Sequence, residues 1–106
     1  MHEALEVRTV DDGDASLVIV TGEIDLSTST RVNRELDAVL DREPPPARLR
    51  LDLAGVSFMD TSGVAVLLKA RRRALEHGCR FSVSSSSPTI TRLLEVTGLT
   101  EMLRDS

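Results

Sequence analysis

The sequence predicts an α/β fold in which a mixed β-sheet carries helices packed mainly on one face. Two segments with strand-like patterns come first, and helical and strand-like hydrophobic patterns alternate after them. The length of 106 residues, 41% of them hydrophobic, allows one well-buried core and leaves too little chain for a second. We therefore expect residues 1–106 to form a single domain.

The first two strands are predicted to form a hairpin. Leu5, Val7 and Thr9 alternate with polar residues, which is the pattern of a half-buried strand. A polar turn around Gly13 leads into the second strand, at residues 16–20. This strand is almost continuously apolar, which predicts an interior strand that is covered on both faces.

The first helix follows a run of hydroxyl residues at 27–30, which are good N-cap residues. Its predicted buried face consists of four residues at helical spacing, Val32, Leu36, Val39 and Leu40. Three prolines at 44–46 cannot continue the helix, and they lead into a third strand. In that strand leucines at every second position, Leu49, Leu51 and Leu53, alternate with charged residues.

The second helix is predicted to begin near Ser62 and to end at Gly78. Its predicted buried face is rich in small residues and consists of Gly63, Val66, Leu67, Ala70 and Ala74. A fourth strand is expected around Phe81 and Val83, followed by a serine loop at 84–87.

The third helix is predicted to be capped by Ser87, to begin at Pro88 and to close at Gly98. Residues 99–103 are then expected to be a short tail.

The composition argues against several classes of partner. Seventeen acidic residues against 13 basic residues, with 2% aromatic residues, disfavour a nucleic-acid surface. No apolar run approaches the ~20 residues of a membrane span, so we expect no membrane insertion and a cytoplasmic location. The single cysteine, Cys79, excludes an intrachain disulfide and a four-cysteine metal site. We expect no cofactor and no metal.

Catalytic chemistry also lacks its usual residues. The only histidines are His2, near the N-terminus, and His77, at a predicted helix end, and no serine-hydrolase elbow is present. Glycine motifs for nucleotide phosphates are missing as well. We therefore expect a protein that is not an enzyme.

Three acidic residues, Glu23, Asp25 and Asp60, lie at the ends of predicted strands, where α/β sheets usually carry their sites. They could converge on one site. Alternatively, Asp25 and Asp60 could simply cap helix N-termini, because a carboxylate accepts hydrogen bonds from the N–H groups there. Spacing alone favours capping.

The segment Asp60-Thr61-Ser62-Gly63 joins the third strand to the second helix. Thr61 or Ser62 could cap the helix, and residue types alone favour this interpretation. Alternatively, one hydroxyl could accept a phosphate, which the first-turn N–H groups would stabilise and Asp60 would oppose.

Residues 51–67, LDLAGVSFMDTSGVAVL, resemble the signature of the STAS domain of bacterial anti-sigma factor antagonists. Two further stretches, residues 22–25 and 87–99, match the family pattern, so the resemblance spans nearly the whole chain. The chain departs from the common pattern at the triple proline and at the all-serine segment before the third helix. Both departures are expected in loops, where they bear on partner choice more than on the fold.

The resemblance implies that Ser62 is phosphorylated by an anti-sigma factor that is also a serine kinase. The unphosphorylated domain would bind this partner and free the sigma factor, and a phosphoserine phosphatase could restore that state. By the same resemblance, the partner-binding residues would be those of the motif and of the acidic loop before the first helix, namely Asp60, Thr61, Ser62, Gly63, Glu23 and Asp25.

Two alternatives stay open at this point. A STAS module could act as a scaffold subunit of a stressosome-like or lipid-transport complex, without a phosphorylation cycle, although the intact acceptor triplet favours the regulator. A small hydrolase is disfavoured because the chain offers no base for Ser62.

Overall fold

The computed structural model describes residues 4–103, which form a four-stranded sheet, three α-helices and a short 3₁₀ helix. In chain order the elements are β1 (Glu6–Asp12), β2 (Ala15–Ile24), α1 (Ser29–Leu40), β3 (Arg48–Met59), α2 (Thr61–Glu76), β4 (Arg80–Ser86), α3 (Pro88–Val96) and the 3₁₀ helix (Thr100–Leu103). The predicted α/β class and the order of elements are confirmed.

The sheet is mixed, as predicted, with the strand order β1-β2-β3-β4. β1 and β2 are antiparallel and are joined by a tight turn at Gly13, whose φ of 62° suits a residue without a Cβ. β2, β3 and β4 are parallel, and α1 and α2 connect them. Right-handed crossovers in one direction along a sheet place both helices on the same face.

The core lies on that face of the sheet. Strand register aligns Val18 of β2 with Leu51 of β3 and Val83 of β4, and all three side chains are buried. The helices bury the residues that their periodicity predicts, which are Val32, Leu36, Val39 and Leu40 in α1 and Gly63, Leu67, Ala70 and Ala74 in α2. Val66, also predicted to be buried, is half-buried.

The prediction that β2 is covered on both faces is wrong for the described residues. Burial alternates along the strand: Val18 and Val20 are buried, whereas Leu17 and Ile19, on the other face, are half-buried. The physical reason is that α1, α2 and α3 join one core on one side of the sheet, so the second apolar face of β2 points away from it.

The serine segment and the tail also differ from expectation. Residues 84–86 continue β4, because the backbone of Ser85 and Ser86 pairs with β3 after a register shift at Ser84. Ser87 caps α3 as predicted, with its Oγ accepting from the N–H of Ile90 at 3.4 Å and donating to the carbonyl of Val56 at 2.6 Å. The expected tail is a 3₁₀ helix that packs on β4 and buries Met102 in the core.

Candidate functional site

The carboxyl ends of β2 and β3 lie side by side and bring the acidic residues to one edge of the sheet. Glu23 is paired with Phe58 in the parallel register, and the N–H of Asp60 donates to the carbonyl of Ile24 at 3.2 Å. Asp25 therefore leaves β2 next to the point where Asp60 leaves β3. This neighbourhood arises because parallel strands end at the same edge.

Asp25 organises the loop between β2 and α1. Its Oδ1 accepts hydrogen bonds from the N–H of Ser27 at 2.9 Å, from the Ser27 hydroxyl at 2.7 Å and from the N–H of Thr28 at 3.0 Å. The Thr28 hydroxyl in turn donates to the carbonyl of Glu23 at 2.8 Å. The bond from the Ser27 hydroxyl, followed by those from Thr28, lowers the pKa of Asp25, so this loop is held by a carboxylate.

Asp60 is the N-cap of α2. Its backbone is extended and its Oδ1 accepts from the N–H of Ser62 at 2.9 Å, which satisfies one of the unpaired donors of the first turn. The carboxylate therefore takes the capping role that residue types had assigned to Thr61 or Ser62. Of the two candidate capping carboxylates, Asp60 caps a helix directly, whereas Asp25 holds the turn that precedes one.

The two hydroxyls of the motif differ in their surroundings. Ser62 is half-buried, and its Oγ donates a short hydrogen bond to Oδ1 of Asp60. Thr61 is exposed, and its hydroxyl has no hydrogen-bond partner among residues 4–103. The Ser62 hydroxyl lowers the pKa of Asp60, against burial and the nearby charge of Asp25, which both raise it. Asp60 thus fixes the proton of Ser62 Oγ and leaves the oxygen lone pairs available to an electrophile.

Gly63 sets the distance between this site and the core. A Cβ at this position would lie 2.4 Å from Cγ of Met59 and 3.0 Å from Cγ2 of Ile24. Only a residue without a side chain allows the first turn of α2 to rest directly on the ends of both strands. This close approach holds Ser62 at the rim of the sheet edge.

Two exposed apolar residues flank the motif and were missed by the sequence analysis. Leu26 is 80% exposed in the loop after Asp25, and Phe58 is 46% exposed two residues before Asp60. A leucine inside an otherwise polar turn is a signal that could have identified Leu26. Phe58 gives no such signal, because it lies near the end of β3, where the face that its side chain takes depends on the strand register.

The described residues give no support for a metal site or for a reactive histidine or cysteine. Within residues 4–103, no cluster of three or more His, Cys, Asp or Glu side chains could hold a metal ion. His77 is exposed at the far end of α2, and His2 lies outside the described residues. Cys79 is buried, and burial raises the pKa of its thiol, which disfavours a reactive thiolate. In the described part of the chain, no helix is long and apolar enough to cross a membrane.

Similarity to known proteins extends over nearly the whole chain. The family model described as "Mlab, STAS domain" matches residues 7–104. An anti-sigma-B factor antagonist of Listeria monocytogenes is 30% identical over 103 residues, which make up 97% of this chain and 88% of that protein. The chain is therefore a member of the STAS domain family.

Within that family it belongs with the bacterial anti-sigma factor antagonists. The crystal structure of an anti-sigma factor antagonist from Mycobacterium paratuberculosis superposes with a TM-score of 0.82 at 26% identity, covering 92% of this chain and 81% of that one. SpoIIAA in its unphosphorylated form gives 0.78 at 19% identity, covering 97% and 88% of the two chains. SpoIIAA of Bacillus in the phosphorylated form gives 0.73, covering 97% and 91%. At this identity SpoIIAA supports the fold alone.

Proposed function

We propose that this chain is a cytoplasmic anti-sigma factor antagonist, without enzymatic activity of its own, that is switched by phosphorylation of Ser62. The unphosphorylated form binds an anti-sigma factor that is also a serine kinase, and this binding releases the sigma factor. Phosphorylation ends the binding, and a phosphoserine phosphatase restores it. The names of the relatives support the antagonist role, and the phosphorylated form of SpoIIAA is consistent with the switch.

The observation that carries the proposal is the position of the Ser62 hydroxyl. It lies in the first turn of α2, hydrogen-bonded to the cap residue Asp60 and only half-buried. A phosphate on Ser62 would meet the N–H groups and the positive end of the helix dipole, which can partly satisfy its oxygens. The domain should therefore tolerate the modification without unfolding.

The same modification should be poorly tolerated in a complex. A phosphate adds roughly 1.5 to 2 negative charges at neutral pH, next to the carboxylates of Asp60 and Asp25. Burying that charge against a partner shaped for a neutral hydroxyl costs several kcal/mol unless a cation meets it, on the order of the penalties for buried unpaired charges. Docking should therefore be lost while the fold is kept.

The partner is expected to cover the sheet edge around the motif. Leu26 and Phe58 are exposed apolar residues there. Leu26 follows Asp25 in the chain, Phe58 is the register neighbour of Glu23, and Asp60 comes two residues after Phe58. Apolar anchors with a charged rim are typical of protein interfaces. The exposed Thr61 completes this surface as a neighbour of the acceptor. Gly63, also expected in the partner-binding set, is buried and contributes by letting the first turn of α2 rest on the strand ends.

The test is incubation of the protein with the serine-kinase anti-sigma factor of its own bacterium and ATP, followed by peptide mass spectrometry and binding measurements. Phosphate is expected on Ser62. Ser62→Ala should bind the kinase and resist release, whereas Ser62→Asp should bind poorly and melt close to wild type.

Thr61→Ala is the matched control, because it removes the neighbouring hydroxyl and leaves the acceptor and its cap unchanged. It should still accept phosphate. Phosphate on Thr61 alone, or unchanged partner affinity after modification of Ser62, would refute the switch. Binding that persists without any phosphorylation cycle would favour a scaffold role.

A further inference from the structure

The Ser62 hydroxyl makes a hydrogen bond that the neighbouring hydroxyl does not make. Ser62 Oγ donates to Oδ1 of Asp60, whereas the exposed Thr61 hydroxyl has no hydrogen-bond partner among residues 4–103. Both side chains lie in the first turn of α2, and both carry a hydroxyl that a kinase could modify. Of the two, the less exposed hydroxyl is thus the one that has an acceptor for its proton.

The carboxylate of Asp60 is fixed relative to that hydroxyl. Its Oδ1 also accepts from the N–H of Ser62 at 2.9 Å, and the N–H of Asp60 donates to the carbonyl of Ile24 at 3.2 Å. The carbonyl of Asp60 accepts from the N–H of Gly63 at 3.1 Å, and Gly63 rests on the strand ends. The carboxylate therefore cannot turn away from Ser62 without giving up the cap of α2.

Asp25, the nearby carboxylate, does not compete for this proton. It forms hydrogen bonds to Ser27 and Thr28 within its own loop, and none to Ser62 in the described part of the chain. The hydrogen bond from Ser62 lowers the pKa of Asp60, against burial and the charge of Asp25, which raise it. Asp60 is therefore ionised at neutral pH and can accept a proton.

We propose that Asp60 accepts the proton of Ser62 during phosphoryl transfer, a role that rests on the proposed function, in which a kinase modifies Ser62. In this step Ser62 Oγ forms a bond to the γ-phosphorus of ATP. The bond from that phosphorus to the oxygen bridging it to the β-phosphorus breaks, and ADP leaves with the electron pair. The proton of Ser62 Oγ passes to Oδ1 of Asp60 and later to water. The substrate thus supplies the base for its own modification.

An ionised aspartate of low pKa suits this role. Phosphoryl transfer passes through a loose transition state in which the bond to the attacking oxygen is little formed, so the hydroxyl gives up its proton late. Protein kinases use an aspartate to accept the proton of a substrate hydroxyl. The negative charge of Asp60 also repels the incoming phosphate. If repulsion dominated, removing the carboxylate would speed the transfer, so the two effects predict opposite changes in rate.

The experiment is steady-state phosphorylation of the full chain by the serine-kinase anti-sigma factor of its own bacterium with ATP. Wild type is compared with Asp60→Asn and Asp60→Ser. Asparagine and serine are about as good N-cap residues as aspartate, so both variants keep the start of α2 and lose the carboxylate. We expect kcat to fall by about 100-fold or more, as for the loss of a general base, with a smaller change in KM. Urea unfolding checks that each variant is folded.

Asp12→Asn is the matched control. It makes the same substitution at an exposed aspartate where β1 meets β2, at the end of the sheet opposite the phosphoacceptor. It should be phosphorylated with the kcat and KM of wild type. Ser62→Ala tests the other hydroxyl, because Thr61 has no carboxylate to take its proton and should stay unphosphorylated in peptide mass spectrometry.

The outcomes separate this role from the proposed function. If wild type gains phosphate on Ser62 and the folded Asp60 variants equal or exceed its kcat, the role of Asp60 is overturned and the proposed function stands. A raised KM at unchanged kcat has the same meaning, because Asp60 would then serve docking alone. Phosphate on Thr61 of Ser62→Ala, formed with the kcat of wild type, would also overturn the role. A wild-type chain that gains no phosphate on Ser62 would overturn the proposed function, and this role with it.

Discussion

Replacing Leu67 by Ala should destabilise the domain strongly. Leu67 is 1% exposed, and it lies in the middle of α2, which packs on α1, β3 and β4. Truncating a fully buried leucine costs about 2 to 5 kcal/mol, through lost burial and the cavity that is left. A domain of this size has a total stability of about 5 to 15 kcal/mol, so a large part of it would be lost.

The assay is urea unfolding followed by circular dichroism in the helical band. The midpoint should fall while the slope of the free energy against urea stays constant, because the surface exposed on unfolding hardly changes. In thermal unfolding, the same loss should lower Tm by about 8 °C or more.

Leu75→Ala is the matched control, since it makes the same substitution in the same helix at a residue that is 80% exposed. It should change the free energy of unfolding by less than about 0.5 kcal/mol. A loss below about 0.5 kcal/mol for Leu67→Ala, or an equal loss for both variants, would refute the assignment of the buried face of α2.

Two further predictions concern the phosphoacceptor edge. Gly63→Ala should destabilise the domain by up to about 2 kcal/mol, because the overlap of its Cβ with Met59 and Ile24 costs about 1 to 3 kcal/mol against the ~1 kcal/mol gained in helix propensity. A variant more stable than wild type in urea would contradict this. Asp25→Asn should flatten the dependence of stability on pH in acid, because the folded pKa of Asp25 is lowered and its contribution, present above the unfolded pKa of about 4, is lost as the pH falls through the folded value. Urea unfolding at a series of acidic pH values measures this slope, and equal slopes for the two proteins would argue against it.

The parts of the fold that local spacing determines were predictable. The buried faces of α1 and α2 follow from helical periodicity, and Ser87 and Pro88 mark the start of α3 through cap chemistry that acts within one turn. The covering of β2 was not predictable in this way. A continuous apolar run shows that a strand has two apolar faces, but the hand and direction of the crossovers decide how many of them the helices reach.

The strand conformation of residues 84–86 was also not predictable from local composition. Their composition is that of a loop, yet they extend β4 because the neighbouring β3 offers backbone partners, and the Ser85 hydroxyl donates to Asp52 at 2.6 Å. Pairing with a distant segment therefore overrides local propensity. Met102 is a second case, since its burial depends on β4 rather than on its own short segment.

The residues of the candidate site were predictable from the sequence, but the hydrogen bonds between them were not. The sequence places Asp25 and Asp60 after strands and Ser62 at a helix start, and the parallel register brings them together. The hydrogen bond from Ser62 to Asp60 depends on the extended backbone of the cap, which residue types alone did not indicate. The exposure of Leu26 and Phe58 is a tertiary property that no local pattern specifies.

The exposure of Phe58 gives the domain a site for an optical probe. The chain contains no tryptophan and no tyrosine, so a Phe58→Trp variant would carry a single indole fluorophore without background emission. The indole would occupy the solvent-facing position of the phenyl ring, beside the edge where a partner is expected to dock. Its emission would shift to shorter wavelength when that edge loses contact with water, which allows association to be followed in real time without a covalent label.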